Sequence, residues 1–250
     1  MIISSEKELA SFKRIGRIVG LTLNEMIRNL KPGITTAELD NIGRNFLILN
    51  GAKSAPSTVY KFPGATCISV NDEAAHGIPG NRVIKSGDLV NIDVSAELDG
   101  YFADTGASTA LEPVLPVVSN LCKSSLAALN KCISAAKAGT AINLMGLIVE
   151  NEAKKYGFKT IQNLCGHGVG KSLHEDPHHI LNYYDPKDKK KFKSGMVVAI
   201  ECFVSSNANY VVDSKDGWTL RTPDKSLVAQ YEHTIVITDK GSINLTSIDQ

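Results

Sequence analysis

The chain is 250 residues long, 43% apolar and 21% charged, the balance of a soluble globular protein with ample core. Its 27 Lys and Arg against 26 Asp and Glu exclude a net charge that would pull it toward nucleic acid or an acidic membrane. The five cysteines, Cys67, Cys122, Cys132, Cys165 and Cys202, fit neither a disulfide framework nor a zinc ribbon, so free thiols in a reducing compartment are expected.

Residues 5–30 repeat apolar side chains at Leu9, Phe12, Ile15, Val19 and Leu23, the spacing of one helix face. The early charges of this segment are unlike those of a signal peptide, and no run reaches transmembrane length. A cytoplasmic protein with no membrane partner is expected. "KPGITTAEL" ends the first helix and opens a second, with Thr35 or Thr36 as N-cap, running over Ala37 to Asn50 until Gly51 closes it. From Ser54 to Thr109 the chain reads as short strands broken by Gly, Pro and Asn-Asp. Helices are expected again from Ser119 to Ala138 and from Ala141 to Tyr156, followed by a second strand-rich region from Thr160 to Thr238.

The order helix, helix, strands therefore occurs twice, and the residues repeat with it. "KSGDLVNID" at 85–93 matches "KSGMVVAIE" at 193–201, and "KPGITTAEL" at 31–39 echoes "KAGTAINLM" at 137–145, offsets of 108 and 106. Two echoes at nearly one offset predict two similar α+β halves, roughly 1–115 and 119–245, in a single domain spanning 1–250. Chance likeness between buried strands is the competing explanation. The echo also places Glu201 where Asp93 stands, so each half ends an apolar strand on a carboxylate.

"NIDVSAELDGYFADTGAST" at 91–109 reads as a hairpin turning at Asp99-Gly100. With that turn Asp104 opposes Ser95 and lies diagonal to Asp93; with a turn one step wider it opposes Asp93 directly. Either register leaves both acids on one face, with no Lys or Arg in the stretch to satisfy them. Two buried carboxylates that close raise each other's pKa unless a cation sits between them. His167 in "CGHGVG", Glu201 in "MVVAIE" and Glu232 in "AQYEHTIVIT" are the remaining candidate ligands. Taken alone, a His is more often a hydrogen-bonded structural residue and a strand Glu a surface one; the set changes that balance. Four carboxylates balance two divalent cations, and oxygen-rich ligation without thiolate suits Mn, Fe or Co better than structural zinc. Two metals sharing carboxylates would activate water and polarise a carbonyl, the chemistry of hydrolysis.

Over essentially its whole length the sequence closely resembles type I methionine aminopeptidases of the pita-bread fold, the bacterial form especially. The motifs that carry the resemblance are "CISVNDEAAHGIP", "VNIDVSAELDGYFADT", "GHGVGKSLHEDP", "AIECF" and "YEHT". It implies an antiparallel-rich curved sheet covered by helices and two divalent metal ions, Co, Mn, Fe or Zn. Asp93, Asp104, His167, Glu201 and Glu232 fall on the ligand positions, with Asp104 and Glu232 matching the bridging carboxylates. The activity implied is removal of the N-terminal methionine from nascent or newly made proteins when the second residue is small.

The resemblance also implies roles that spacing does not show. His76 matches the histidine that contacts the substrate amide nitrogen, and His174 the one near the scissile carbonyl; Glu201 is a candidate proton shuttle. Val59, Phe62, Cys67, Phe203 and Trp218 match the pocket for the methionine side chain. His178 and His179 match no functional position and are read as loop or surface residues, and His233 should face away from Glu232. Cys202 stands where proline is common and Val59 where some relatives are aromatic, departures that touch substrate preference and not the reaction class.

The basic run "DPKDKKKFKSG" at 185–195 reads first as a solvated loop; its sharper reading is a contact of the Lys-rich segment 187–193 with ribosomal RNA. A monomer without DNA binding is otherwise expected. Two other functions fit the same fold: a proline-directed peptidase, which usually carries a further N-terminal domain, and a binding module that has lost its metals. The second should show substituted ligands, and here all five are present together with His76 and His174.

Overall fold

The computed structural model describes residues 1–248; Asp249 and Gln250 lie outside it. Helix α1 (Glu6–Asn29) starts at Ser5, whose side chain accepts from the Glu8 N–H, and buries Phe12, Ile15, Val19, Leu23 and Met26 along one face. Helix α2 (Thr36–Leu49) starts on a capping box: Thr35 accepts from the Glu38 N–H while the Glu38 carboxylate accepts from Thr35. After β1 (Lys53–Ser54) and the short α3 (Ala55–Val59) come β2 (Cys67–Val70), β3 (Glu73–Ala75), β4 (Leu89–Leu98) and β5 (Tyr101–Ala110). Helices α4 (Pro116–Ala135) and α5 (Asn143–Lys155) follow. Helix α4 begins three residues earlier than the sequence periodicity predicts, because Pro116 occupies the first turn, where a missing N–H costs nothing. The remaining strands are β6 (Lys159–Thr160), β7 (Cys165–Gly168), β8 (Glu175–Leu181), β9 (Val197–Ser205), β10 (Val212–Asp213), β11 (Leu220–Arg221), β12 (Val228–Ile237) and β13 (Ser242–Asn244).

The main sheet runs β1-β4-β5-β12-β9-β7-β8, with β2 also on β4, β6 on β9 and β13 on β12, every pairing antiparallel. Strand alternation sorts most of its residues between two faces, although Val197, Ala199 and Val236, of the site's parity, also join the α1 cluster. Val90, Ile92, Val94 and Ala96 of β4 join one apolar cluster with α1, and Val198, Ile200, Cys202 and Val204 of β9 join another with α4 and α5. The helices thus cover one face of the sheet. The residues of opposite parity (Asn91, Asp93 and Ser95 on β4, Glu201 and Phe203 on β9, Gln230, Glu232 and Thr234 on β12) are left for the other face.

The β4–β5 hairpin pairs Leu98 with Tyr101 and so turns on Asp99-Gly100, both with positive φ (53° and 79°), the requirement of a two-residue turn matching the sheet twist. Its register sets Ser95 opposite Asp104, the first of the two registers the sequence allows. No helix among the described residues is long and apolar enough to cross a membrane.

Candidate metal centre

Sheet register builds the site as two lateral rows on the helix-free face. In the first, Asp93 on β4 opposes Gly106 on β5, Gly106 opposes Glu232 on β12, and Glu232 opposes Glu201 on β9. The second lies two residues along: Ser95 opposes Asp104, Thr234 opposes Ala199, and Ala199 opposes His167 on β7. Thr234 ties β12 to β5 in this row, its hydroxyl accepting from the Asp104 N–H (2.9 Å) and donating to the Asp104 carbonyl (2.8 Å). Five strands therefore deliver Asp93, Asp104, His167, Glu201 and Glu232 to one place. Ligand atoms of Asp104, His167 and Glu232 lie within 4.8 Å of one another, and His167 Nε2 is 3.8 Å from both Asp104 Oδ2 and Glu201 Oε1.

The electrostatics of this cluster ask for a cation. Burial and mutual repulsion push Glu201, Glu232 and Asp104 well above the usual carboxylate range, and burial takes Asp93 up to about 6. His167 does not supply the missing charge, since burial and then His174 hold its pKa down to about 3. It is a neutral imidazole, and its contacts with the acids are not ion pairs. Its Nδ1 donates to the Gly168 carbonyl at 3.0 Å, which leaves the Nε2 lone pair facing the carboxylates, the orientation of a metal ligand. Asp104 Oδ1 and Glu232 Oε1 are buried with no hydrogen-bond partner among the described residues. Orphaned oxygens of this kind cost several kcal/mol each unless something cationic satisfies them. The donor set fits one or more divalent cations.

The other oxygen of Glu232 is held from behind. Gln230 Nε2 donates to Glu232 Oε2 at 3.0 Å, and Gln230 Oε1 accepts from Asn91 Nδ2 at 2.8 Å, which fixes the amide the right way round. Gly106, between Asp93 and Glu232, makes room for that amide: a Cβ there would stand 2.4 Å from Gln230 Oε1.

Above the cluster opens a cavity of about 470 Å³. Phe62, Cys67, Phe203 and Trp218 line it, with Trp218 edge-on to Phe62 at 5.3 Å between ring centroids. His76 and His174 line it too; enclosure by protein atoms lowers the pKa of both, so both are neutral at neutral pH. His76 sits at a left-handed φ of 55°, a strained conformation of the kind that concentrates at functional sites.

Val59 is not among the lining residues; it ends α3 and is 43% exposed. Tyr60 takes the wall instead. The Pro56 carbonyl accepts from both Tyr60 and Phe62, with Lys61 at φ 59° between them, so the chain reverses there and turns Tyr60 and Phe62 inward. Nothing in the spacing announces that reversal, because the left-handed residue is a lysine and not a glycine. Leu173 and Cys165 also line the cavity without having been singled out by sequence. His178 and His179 are surface residues as expected but not loop residues: both are exposed on β8 at the rim of the cavity, with His179 Nδ1 at 3.3 Å from Cys165 Sγ. His233 faces away from the cluster as its parity requires, against Thr246 Oγ1 at 2.7 Å.

The sequence profile of metallopeptidase family M24 matches residues 10–239. The chain is 51% identical to methionine aminopeptidase 2 of Bacillus subtilis over 249 residues, covering 99% of this chain and 100% of that one. It is 46% identical to a methionine aminopeptidase of Staphylococcus epidermidis over 250 residues, all of both chains. The crystal structure of methionine aminopeptidase from Thermotoga maritima superposes with a TM-score of 0.95 at 33% identity, covering 99% of this chain and 100% of that one. Prolidase from Pyrococcus furiosus shares the fold at a TM-score of 0.80 and 24% identity; this chain covers 66% of it.

Proposed function

The chain belongs to metallopeptidase family M24, and from that premise we propose that it removes the N-terminal methionine from peptides by metal-dependent hydrolysis. The observation that carries the reading is the convergence of four carboxylates, Asp104 and Glu232 fully buried, and a neutral histidine beneath a cavity walled by aromatic rings and thiols. The relatives named above, matched over their full lengths, support it.

Asp93, Asp104, His167, Glu201 and Glu232 would hold two divalent cations, and the four carboxylates would supply the balancing charge. Cations bound there supply Lewis acidity, activating water and polarising the scissile carbonyl. Glu201 lines the cavity and, ionised beside the cations it would hold, would accept a proton from the attacking water and return it to the leaving amine. His76 contacts the amide nitrogen of the scissile bond. His174 donates to its carbonyl oxygen and stabilises the oxyanion as charge develops. Phe62, Cys67, Phe203 and Trp218 accommodate one unbranched thioether. The preference for a small second residue belongs to the same reading.

We take residues 1–250 as one catalytic domain of two pseudo-repeat halves; α1, with α2 packed beside it, covers β4–β5 as α4 covers β9 and β12, and each half contributes two carboxylates. Newly made proteins in the cytoplasm are the substrates this reading implies, met by a monomer. The exposed Lys187, Lys189, Lys190, Lys191 and Lys193 would then contact ribosomal RNA, with Phe192 buried beneath them as the loop's anchor. Salt-sensitive co-sedimentation with ribosomes, lost on Lys-to-Glu changes, tests that contact.

The decisive experiment compares Met-Ala-Ser with Xaa-Pro peptides, with and without chelator. Methionine release restored by Co, Mn, Fe or Zn is expected, and calorimetric titration should count two ions. No release from Met-Ala-Ser with any of these metals overturns the reading.

A further inference from the structure

Tyr60 is drawn into the cavity wall by the reversal at Lys61, and its phenol oxygen lies 2.6 Å from His174 Nδ1. From this geometry we propose that Tyr60 is a positioning residue for the hydrolytic reaction, donating its phenol proton to Nδ1 and so fixing His174 as the Nε2–H tautomer. The inference rests on the reading above that His174 donates to the substrate carbonyl.

Ring valence links the two nitrogens. A neutral imidazole carries one N–H, and whichever nitrogen accepts a hydrogen bond leaves the proton on the other. An oxyanion needs a donor, so a useful His174 must keep its proton on Nε2 and present a bare Nδ1 to the wall behind it. The Tyr60 hydroxyl is the group found there. Among the described residues Nε2 has no hydrogen-bond partner, which leaves it free for substrate.

Other contacts restrict the ring without choosing its tautomer. His167 packs against it with ring centroids 4.1 Å apart, and Ser172 Oγ donates to the His174 backbone carbonyl at 3.2 Å. Neither touches Nδ1. Among the described residues Tyr60 is the one that reaches Nδ1, and at 43% exposure it is not held there as part of the core. Lys61 belongs to the device: its left-handed backbone permits the reversal that sets both Tyr60 and Phe62 facing inward.

The test uses Tyr60→Phe, which keeps the ring and removes only the hydroxyl. In the metal-loaded enzyme kcat on Met-Ala-Ser should fall about fivefold to tenfold, the loss of one neutral hydrogen bond, while KM stays within about twofold. The double variant with His174→Ala should be no slower than His174→Ala alone. Long-range ¹⁵N–¹H NMR of metal-free protein, with the His174 signal assigned by its loss in His174→Ala, should show the Nε2–H form in the wild type and a mixture of tautomers in Tyr60→Phe. An unchanged kcat, losses that multiply in the double variant, or an unchanged tautomer in Tyr60→Phe overturns the proposal. The NMR measurement needs no turnover, whereas failure of the wild type to release methionine would count against the functional reading itself.

Discussion

Two strand pairs share the work of holding the site, and they are joined in opposite ways. In the first half β4 and β5 meet across Asp99-Gly100, and the tight register sets Asp93 and Asp104 diagonally, two residues apart. In the second half β9 and β12 place Glu201 and Glu232 directly opposite each other, but residues 206–227 intervene between the strands. That excursion is put to use. Its strand β11 pairs with β3 of the first half, setting Leu220 against Ala75, immediately before His76. Arg221 and Arg82 both reach Glu73 Oε1, at 3.3 and 2.8 Å, and Trp218 is thereby laid against Phe62. The first pair supplies two acids and Ser95 to the site. The second supplies two acids, and with its excursion adds Phe203 and Trp218 to a wall that Phe62, Cys67 and His76 of the first half begin. Metal binding and side-chain selection are therefore separable in this fold, although both depend on the same sheet.

The largest effect should come from the acids themselves. Asp104→Ala or Glu232→Ala is expected to reduce activity to background and to prevent metal retention, read by metal analysis after gel filtration; full activity under limiting metal would remove either residue from the site. Next comes the glycine shared by the two pairs. Gly106→Ala must displace the Gln230 amide from Glu232, and metal affinity should fall about 10- to 100-fold in a protein that still folds. Calorimetry showing wild-type affinity would mean that the Asn91–Gln230–Glu232 chain does not tune the ligand. Trp218→Ala should raise KM for Met-Ala-Ser about tenfold through lost aromatic burial and leave the metal content untouched. Lost metal in that variant would show that the excursion and the ligands are one unit after all. The smallest effect belongs to the first turn. Gly100→Ala meets no atom within 4 Å, so only its φ of 79° is strained; about 1 kcal/mol should lower Tm by about 2–4 °C with activity at 25 °C unchanged.

Much of this was legible along the chain because it obeys local rules. The α1 face follows helix spacing, Thr35 with Glu38 is a capping box written three residues apart, and Asp-Gly between alternating apolar runs is a hairpin. The echo between 85–93 and 193–201 pairs Asp93 with Glu201, and both stand in one lateral row of the sheet. The less legible parts depend on backbone states that no residue type announces. Lys61 and His76 both adopt left-handed φ without being glycine, and the first of these decides that Tyr60, and not Val59, lines the cavity. His178 and His179 were invisible for a related reason. Consecutive histidines on a strand should point apart, yet the irregular pairing of β7 with β8 leaves both at the wall.

The sequence by itself determined the composition of the site: which acids stand on apolar strands, with no cation beside them, and which residue types surround them. Those are local properties, set by alternation and by the cost of burying an unpaired charge. Only the tertiary structure decided that five strands bring their ligands into two rows two residues apart. It also decided that His167 is neutral with Nε2 turned inward, and that a tyrosine stands behind His174. Interstrand register, burial and hydrogen-bond direction are relations between segments far apart in the chain, so they exist only once the sheet has closed.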